Sequence, residues 1–194
     1  MMLIIEDKAI SKVGGEGSTS LPLARQNYRI TVYQQLLKAL KPRNVTLVAV
    51  SKTHPPERIL NLYGQGQRAF GENRAQELVA KAEQLPPDIV WHLIGHLQTN
   101  KVRVVAPFVG MIQSVDSLRL LQEIQKQAAQ VGRTLDCLLQ FHIATEDTKF
   151  GLSEQEARDL LESPAYRAMT HVRICGVMGM ATFTDDAERV RAEF

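Results

Sequence analysis

Cysteine is scarce in this sequence: two thiols, Cys137 and Cys175, in 194 residues. Two lone cysteines have no zinc-ligand spacing and cannot build a disulfide framework. Each lies in an apolar run, "LDCLLQF" and "VRICGVMG". Both are therefore expected as buried, reduced thiols of a cytoplasmic protein. Long apolar stretches are missing too. No segment approaches the ~20 residues that cross a bilayer. The start, "MMLIIEDKAI", breaks its apolar run at Glu6 and Asp7 and carries neither a basic leader nor a cleavage site, which argues against a secretory signal. Charge of one sign is also lacking. The 23 Lys+Arg are interspersed with 21 Asp+Glu, for a formal net charge of +2. Duplex binding leaves a concentrated basic stripe. Neither nucleic acid nor a membrane is an expected partner.

Several chemical signatures are absent as well. No G-x-G-x-x-G follows the first strand, which removes the dinucleotide fingerprint. There is no Walker loop, no G-x-S-x-G elbow and no paired acid/base carboxylate pattern. No histidine pair has convincing metal spacing, so no metal is assigned.

What is present is a repeated alternation. With 44% hydrophobic residues the chain can bury one sizeable core, and its length suits one domain. Residues 1–20 end in "GGEGSTS" and are expected as a flexible lead-in. From there Leu23, Tyr28, Val32, Leu36, Leu37 and Leu40 recur at helical intervals until Pro42. A strand is expected at 46–50, then a helix opened by Pro55-Pro56 and stopped by Gly64 and Gly66. Strands at 68–72, 89–95, 110–115, 134–143 and 171–181 follow, each leading into a helical pattern. Asp116 or Ser117 can cap the helix whose stripe is Leu118, Leu121, Ile124, Ala128 and Val131. Ser153 and Glu156 are spaced as a capping box. The last pattern, "DDAERVRAEF", is again helical.

Six strand–helix units in a row, with strands too uniformly apolar for a wet face, predict a parallel sheet covered on both sides. The missing fingerprint and the polar residues clustered after strand ends favour a barrel over an open sheet. The expected fold class is thus α/β, a (β/α)8 TIM-type barrel. About six βα units are present, as expected of a barrel whose last two strands lie beyond this sequence.

The chemistry-bearing residues cluster at strand ends. In "LVAVSKTHPPERI" a lysine, Lys52, follows a buried strand at once. A lysine in a strand-to-helix loop is ordinarily a surface residue. At a barrel mouth, however, desolvation disfavours the ammonium, and a neutral amine can form a Schiff base with an aldehyde or ketone. In "FGEN", Asn73 can cap the next helix or turn its amide to a ligand hydroxyl. In "WHLIGHLQTNK", His92 and Trp91 point to opposite faces of their strand. His92 reads as a satisfied core residue rather than a ligand or base, while His96, Gln98, Asn100 and Lys101 can be a solvated loop. "ATEDTKFG" reads as a mobile polar loop in which Lys149 could meet a phosphate. In "GVMGMAT", Met178 and Met180 are core filler or the wall beside a flat ligand.

In order and spacing, "LVAVSKT", "RAFGEN" with Gln76-Glu77 beyond it, "WHLIGHLQTNK", "TKFG" and "GVMGM" resemble the pyridoxal phosphate homeostasis protein family, built like the barrel domain of alanine racemase. The resemblance runs from about Leu23 to Phe194. It implies that residues 21–194 are a domain binding pyridoxal 5′-phosphate (PLP), with Lys52 as the Schiff-base lysine. Asn73 would lie near the ring, and His92 and Met178 would line the pocket. It implies binding, storage or delivery of PLP without turnover and with no catalytic residue, apo PLP-dependent enzymes as candidate recipients, and a monomer or weak dimer. A racemase or lyase using the same lysine is the alternative. Family members continue beyond the position of Phe194, into a Ser-containing loop and an Arg-x-Gly-type segment that hold the phosphate and face the pyridine nitrogen. Weakened affinity is expected without them.

Overall fold

The computed structural model describes residues 2–5, 23–144, 150–182 and 184–194, with side chains described from Val32 onward. It divides into two compact units, Met1–Gly71 and Glu72–Phe194.

The first unit holds β1 (Met2–Ile5), α1 (Leu23–Leu40), β2 (Thr46–Val50), α2 (Pro56–Gly64) and most of β3 (Ala69–Glu72). β2 pairs parallel with β1, Met2 opposite Thr46, and with β3, Val50 opposite Gly71. Parallel neighbours require a crossover, and the helix between each pair supplies it. From Leu47 to Val50 β2 is apolar and buried or half-buried, as in a sheet covered on both faces; Val48 is fully buried. α2 begins with Pro56 at its first position, where the missing N–H costs nothing. Buried Tyr33 of α1 donates its hydroxyl to Gln67 Oε1 at 3.1 Å, and Gln67 Nε2 donates to the Leu47 carbonyl at 2.8 Å. That chain of bonds seats α1 on β2.

The second unit contains α3 (Ala75–Ala82), β4 (Val90–Leu93), α4 (Val102–Val105), β5 (Val109–Val115), α5 (Leu118–Gln130), β6 (Leu135–Phe141), α6 (Glu154–Glu162), α7 (Pro164–Arg167), β7 (Val172–Gly179) and α8 (Ala187–Glu193). β4, β5, β6 and β7 pair in that order, all parallel. Leu93, Ile112, Leu121, Ile124, Leu135 and Cys137 are fully buried and form the core between sheet and helices. Of the two cap candidates, Ser117 accepts from the Leu120 N–H. Ser153 and Glu156 form the capping box reciprocally.

Three expectations need correction. The strand β1 adds a seventh strand to the six read from the sequence; residues 6–20 lie outside the described residues. On α5 the buried stripe includes Leu120 and Gln127, whereas Val131 is 39% exposed, because it sits at the C-cap where the helix has already turned away. The third is β7. Its apolar sequence predicts burial on both faces, yet every one of its residues is half-buried or exposed. Val177 is 67% exposed and Cys175 is an exposed thiol, whereas Cys137 is buried. β7 also bulges: Cys137 and Leu138 face Ile174 and Gly176, leaving Cys175 as the extra residue.

Candidate functional site

In the first unit, everything bearing on Lys52 depends on how β2 ends. Ser51 is 3% exposed. Its N–H donates to the Gly71 carbonyl at 2.9 Å and its hydroxyl reaches the same oxygen at 3.3 Å. The strand end is thereby pinned to β3. The chain then reverses within four residues: the His54 N–H donates to the Ser51 carbonyl at 3.0 Å, closing a turn with Lys52 and Thr53 at its centre. Arg58 Nη1 bonds His54 Nδ1 at 3.0 Å, and Pro55-Pro56 stiffen the chain between the turn and α2. A turn this tight can require a positive φ at its third residue, and Thr53 has φ 63°. A β-branched residue in the left-handed region is a true outlier; such strain costs of order 1–3 kcal/mol and clusters at functional positions. Lys52, half-buried, stands on this turn at the carboxyl end of the strand.

In the second unit, Asn73 comes directly after β3. It does not cap α3: the N-cap position is Arg74, which has no side-chain cap bond. Its backbone is instead covered by Gly95. A Cβ at residue 95 would stand 2.5 Å from the Asn73 carbonyl oxygen and 2.9 Å from its Cα, so only glycine admits this approach. The Ile94 N–H donates to the Glu72 carbonyl at 2.9 Å. Below Asn73, Glu72 is fully buried and paired with Lys81 at 2.7 Å, and Lys81 also meets Glu77 at 2.7 Å.

His92 is 5% exposed, and its Nδ1 bonds Gln113 Nε2 at 2.8 Å. The amide nitrogen can only donate, so Nδ1 accepts and the neutral ring carries its proton on Nε2. Burial pushes the imidazole down to about 4, against a smaller opposing pull from the Asp136 charge. Strand register runs His92–Met111–Asp136–Arg173 across β4 to β7, so these residues share one face. Met178, half-buried, lies opposite Gln140, which is on that same face two and four residues beyond Leu138 and Asp136. The structure thus puts His92 and Met178 on one face of one sheet. Buried Gln140 donates to the Phe150 carbonyl at 2.8 Å. Phe150 stacks on His96 with ring centroids 3.9 Å apart, and His96 Nδ1 stands 3.2 Å from Asp116. Lys149, the candidate phosphate contact, lies outside the described residues, as does the whole stretch 145–149.

Sequence reasoning missed Thr53, Gly95 and the Glu72–Lys81–Glu77 lock. A left-handed threonine leaves no mark in a sequence. The i, i+4 spacing of Glu77 and Lys81 was available, but the buried partner Glu72 comes from tertiary structure. Among the described residues, no group of three His, Cys, Asp or Glu could hold a metal ion, and no helix is long and apolar enough to cross a membrane.

Comparison with known proteins adds the family. The model described as alanine racemase, N-terminal domain, matches residues 27–194. The pyridoxal phosphate homeostasis protein of Aquifex aeolicus is 37% identical over 149 residues, which is 76% of this chain and 64% of that protein. The protein of the same name from Pasteurella multocida is 35% identical over 171 residues, 86% of this chain and 71% of that one. This chain therefore spans about two thirds of the length of such relatives. Among solved structures, PipY of Synechococcus elongatus PCC7942 with PLP bound superposes with a TM-score of 0.71 at 36% identity, covering 82% of this chain and 74% of PipY. The α/β fold class of the alanine racemase barrel domain, expected from the succession of strand–helix units, is thereby shown.

Proposed function

The chain belongs to the alanine racemase N-terminal domain family, and on that premise we propose that it binds PLP through Lys52 and serves intracellular PLP homeostasis as a carrier. One observation supports this above the others: a half-buried lysine stands on a strained, pinned turn at the carboxyl end of a buried parallel strand. That is where barrel proteins keep their sites. The similarity to a PLP-bound structure at 36% identity points the same way.

The residues fit the cofactor chemically. When bound, PLP supplies an aldehyde that condenses with an amine and a conjugated ring that absorbs near the visible edge. Lys52 would supply the amine. The family resemblance assigns Asn73, whose backbone is held by Gly95, to the ring's phenolic-oxygen side. Met178 would give a flat ring a polarizable wall. His92, on the same face of its sheet as Met178, would bring a neutral N–H rather than a cation.

The carrier reading is preferred to a racemase or lyase because of His92. Its acceptor nitrogen is already occupied by Gln113 and burial keeps it neutral, so it is a poor general base near pH 7. A cytoplasmic location, apo PLP-dependent enzymes as recipients, and a monomer or weak dimer complete the proposal.

The test is an absorbance titration with PLP. A band near the visible edge is expected in the unmodified protein and is lost in Lys52→Ala. Borohydride reduction should fix a pyridoxyl mass on the peptide containing Lys52. Equal behaviour of the two proteins sinks the proposal. Racemisation or elimination of an amino acid at a useful rate would replace the carrier by an enzyme.

A further inference from the structure

We propose that Thr53 is a positioning residue for Lys52: the left-handed backbone in which it is held sets the direction in which the lysine amine leaves the strand. This rests on the reading of Lys52 as the PLP lysine.

The turn from Ser51 to His54 is clamped at both ends. Ser51 is fixed to Gly71 by its N–H and its hydroxyl. His54 is fixed by its own N–H to Ser51 and by its ring to Arg58, ahead of Pro55 in an extended conformation at φ −72°. Between those anchors stand Lys52 and Thr53. The φ of 63° at Thr53 closes the turn, and with it fixes the Cα–Cβ direction of Lys52 beside it. Glycine would accept this φ without strain, but would also accept many others. Asparagine visits the left-handed region readily while staying more restricted than glycine. Threonine is the costly choice for stability at an exposed position, as expected where strain serves geometry.

The experiment compares wild type, Thr53→Gly, Thr53→Asn and Lys52→Ala by thermal melting, PLP titration and competitive acetylation. Acetylation of Lys52 by acetic anhydride is read by peptide mass spectrometry against exposed Lys126. In Thr53→Gly the melting temperature should rise by about 3 °C as strain is released. PLP binding should nevertheless weaken about tenfold, because the amine is no longer pre-aimed, and Lys52 acetylation relative to Lys126 should change. Thr53→Asn should retain PLP binding within about twofold, since it keeps the left-handed turn. If Thr53→Gly binds PLP like wild type while Lys52→Ala does not, the positioning role is wrong and the PLP reading stands. If no protein shows a Lys52-dependent band, the PLP reading fails. Acetylation then decides alone, and an unchanged Lys52 rate in Thr53→Gly overturns the positioning role.

Discussion

The two compact units treat their candidate groups in opposite ways. In Met1–Gly71 the candidate amine stands on a turn that holds a β-branched residue at φ 63°, so local geometry is maintained against local preference. In Glu72–Phe194 the candidate groups stand on arrangements held by close packing and buried hydrogen bonds. Asn73 lies under a glycine where no other residue fits, His92 is neutral and bonded to Gln113, and the later helices α5 and α6 begin with serine caps. The difference teaches where direction matters and where support matters. On the proposed roles, a lysine that bonds its ligand must be aimed, whereas a residue that only packs against a ligand need only stay in place.

The sharpest way to break that contrast is at the root of Asn73. Lys81 is 5% exposed and lies 2.7 Å from both Glu72 and Glu77. If the second unit relies on satisfied groups, Lys81→Ala must be severe, since it takes the Lys81 cation away from the fully buried Glu72 carboxylate. Removing one partner of a buried pair costs about 3–5 kcal/mol. Urea unfolding of the variant should show a loss of that size. A loss below about 1 kcal/mol, the range of a surface pair, would mean that this lock contributes little and the contrast is false.

Much of this architecture is legible in the sequence, and the failures have physical causes. β2 is read to the residue because an unbroken apolar run lies between a polar loop and a Ser-Lys-Thr turn. The capping box at Ser153 and Glu156 is local and therefore readable. β7 is not: its composition matches that of β6, and only tertiary context decides which is covered. That is why Cys137 and Cys175, in equally apolar runs, end respectively buried and exposed. The site divides similarly. Lys52 is flagged by its place after a strand, and Met178 shares a face with His92 through pairing that no local pattern announces. Thr53 is invisible because its side chain says strand while its backbone is left-handed.

A smaller effect sharpens the comparison through pH. His92 is pushed down to about 4, mainly by burial. In the unfolded chain an ordinary histidine takes up its proton near 6.5; the folded protein resists this until about pH 4. The unfolded state therefore binds more protons across that window, and stability falls as pH falls. Above about pH 6.5 the effect is absent. By pH 4 it reaches about 3 kcal/mol, at 1.36 kcal/mol per pH unit. Carboxylates titrate in the lower part of the window, so the comparison is with His92→Gln, which should lose the part of the slope lying between pH 6.5 and 5. Parallel pH profiles of the two proteins would place a charged histidine in that sheet and remove the argument against His92 as a base.

The smallest expected effect compares the two kinds of strand end most directly. β2 and β5 both deliver the chain to a helix, one through the strained Thr53 turn and one through Ser117, whose hydroxyl accepts from the Leu120 N–H at 3.3 Å. A cap satisfies a helix donor that otherwise has no intrahelical partner, so Ser117→Ala should destabilise by about 1 kcal/mol. Relief of strain at residue 53 acts with the opposite sign. Measured by the same denaturation assay, the two substitutions should therefore move stability apart, Ser117→Ala downward and Thr53→Gly upward. PLP binding should discriminate in the other sense, Ser117→Ala leaving it intact and Thr53→Gly weakening it. A helix cap and an aiming turn at equivalent places in their βα units would then differ in what each was selected to hold: the first a helix, the second an amine. If both substitutions lower stability alike, Thr53 is simply another stabilising residue, and the strain at φ 63° is offset by contacts of its own.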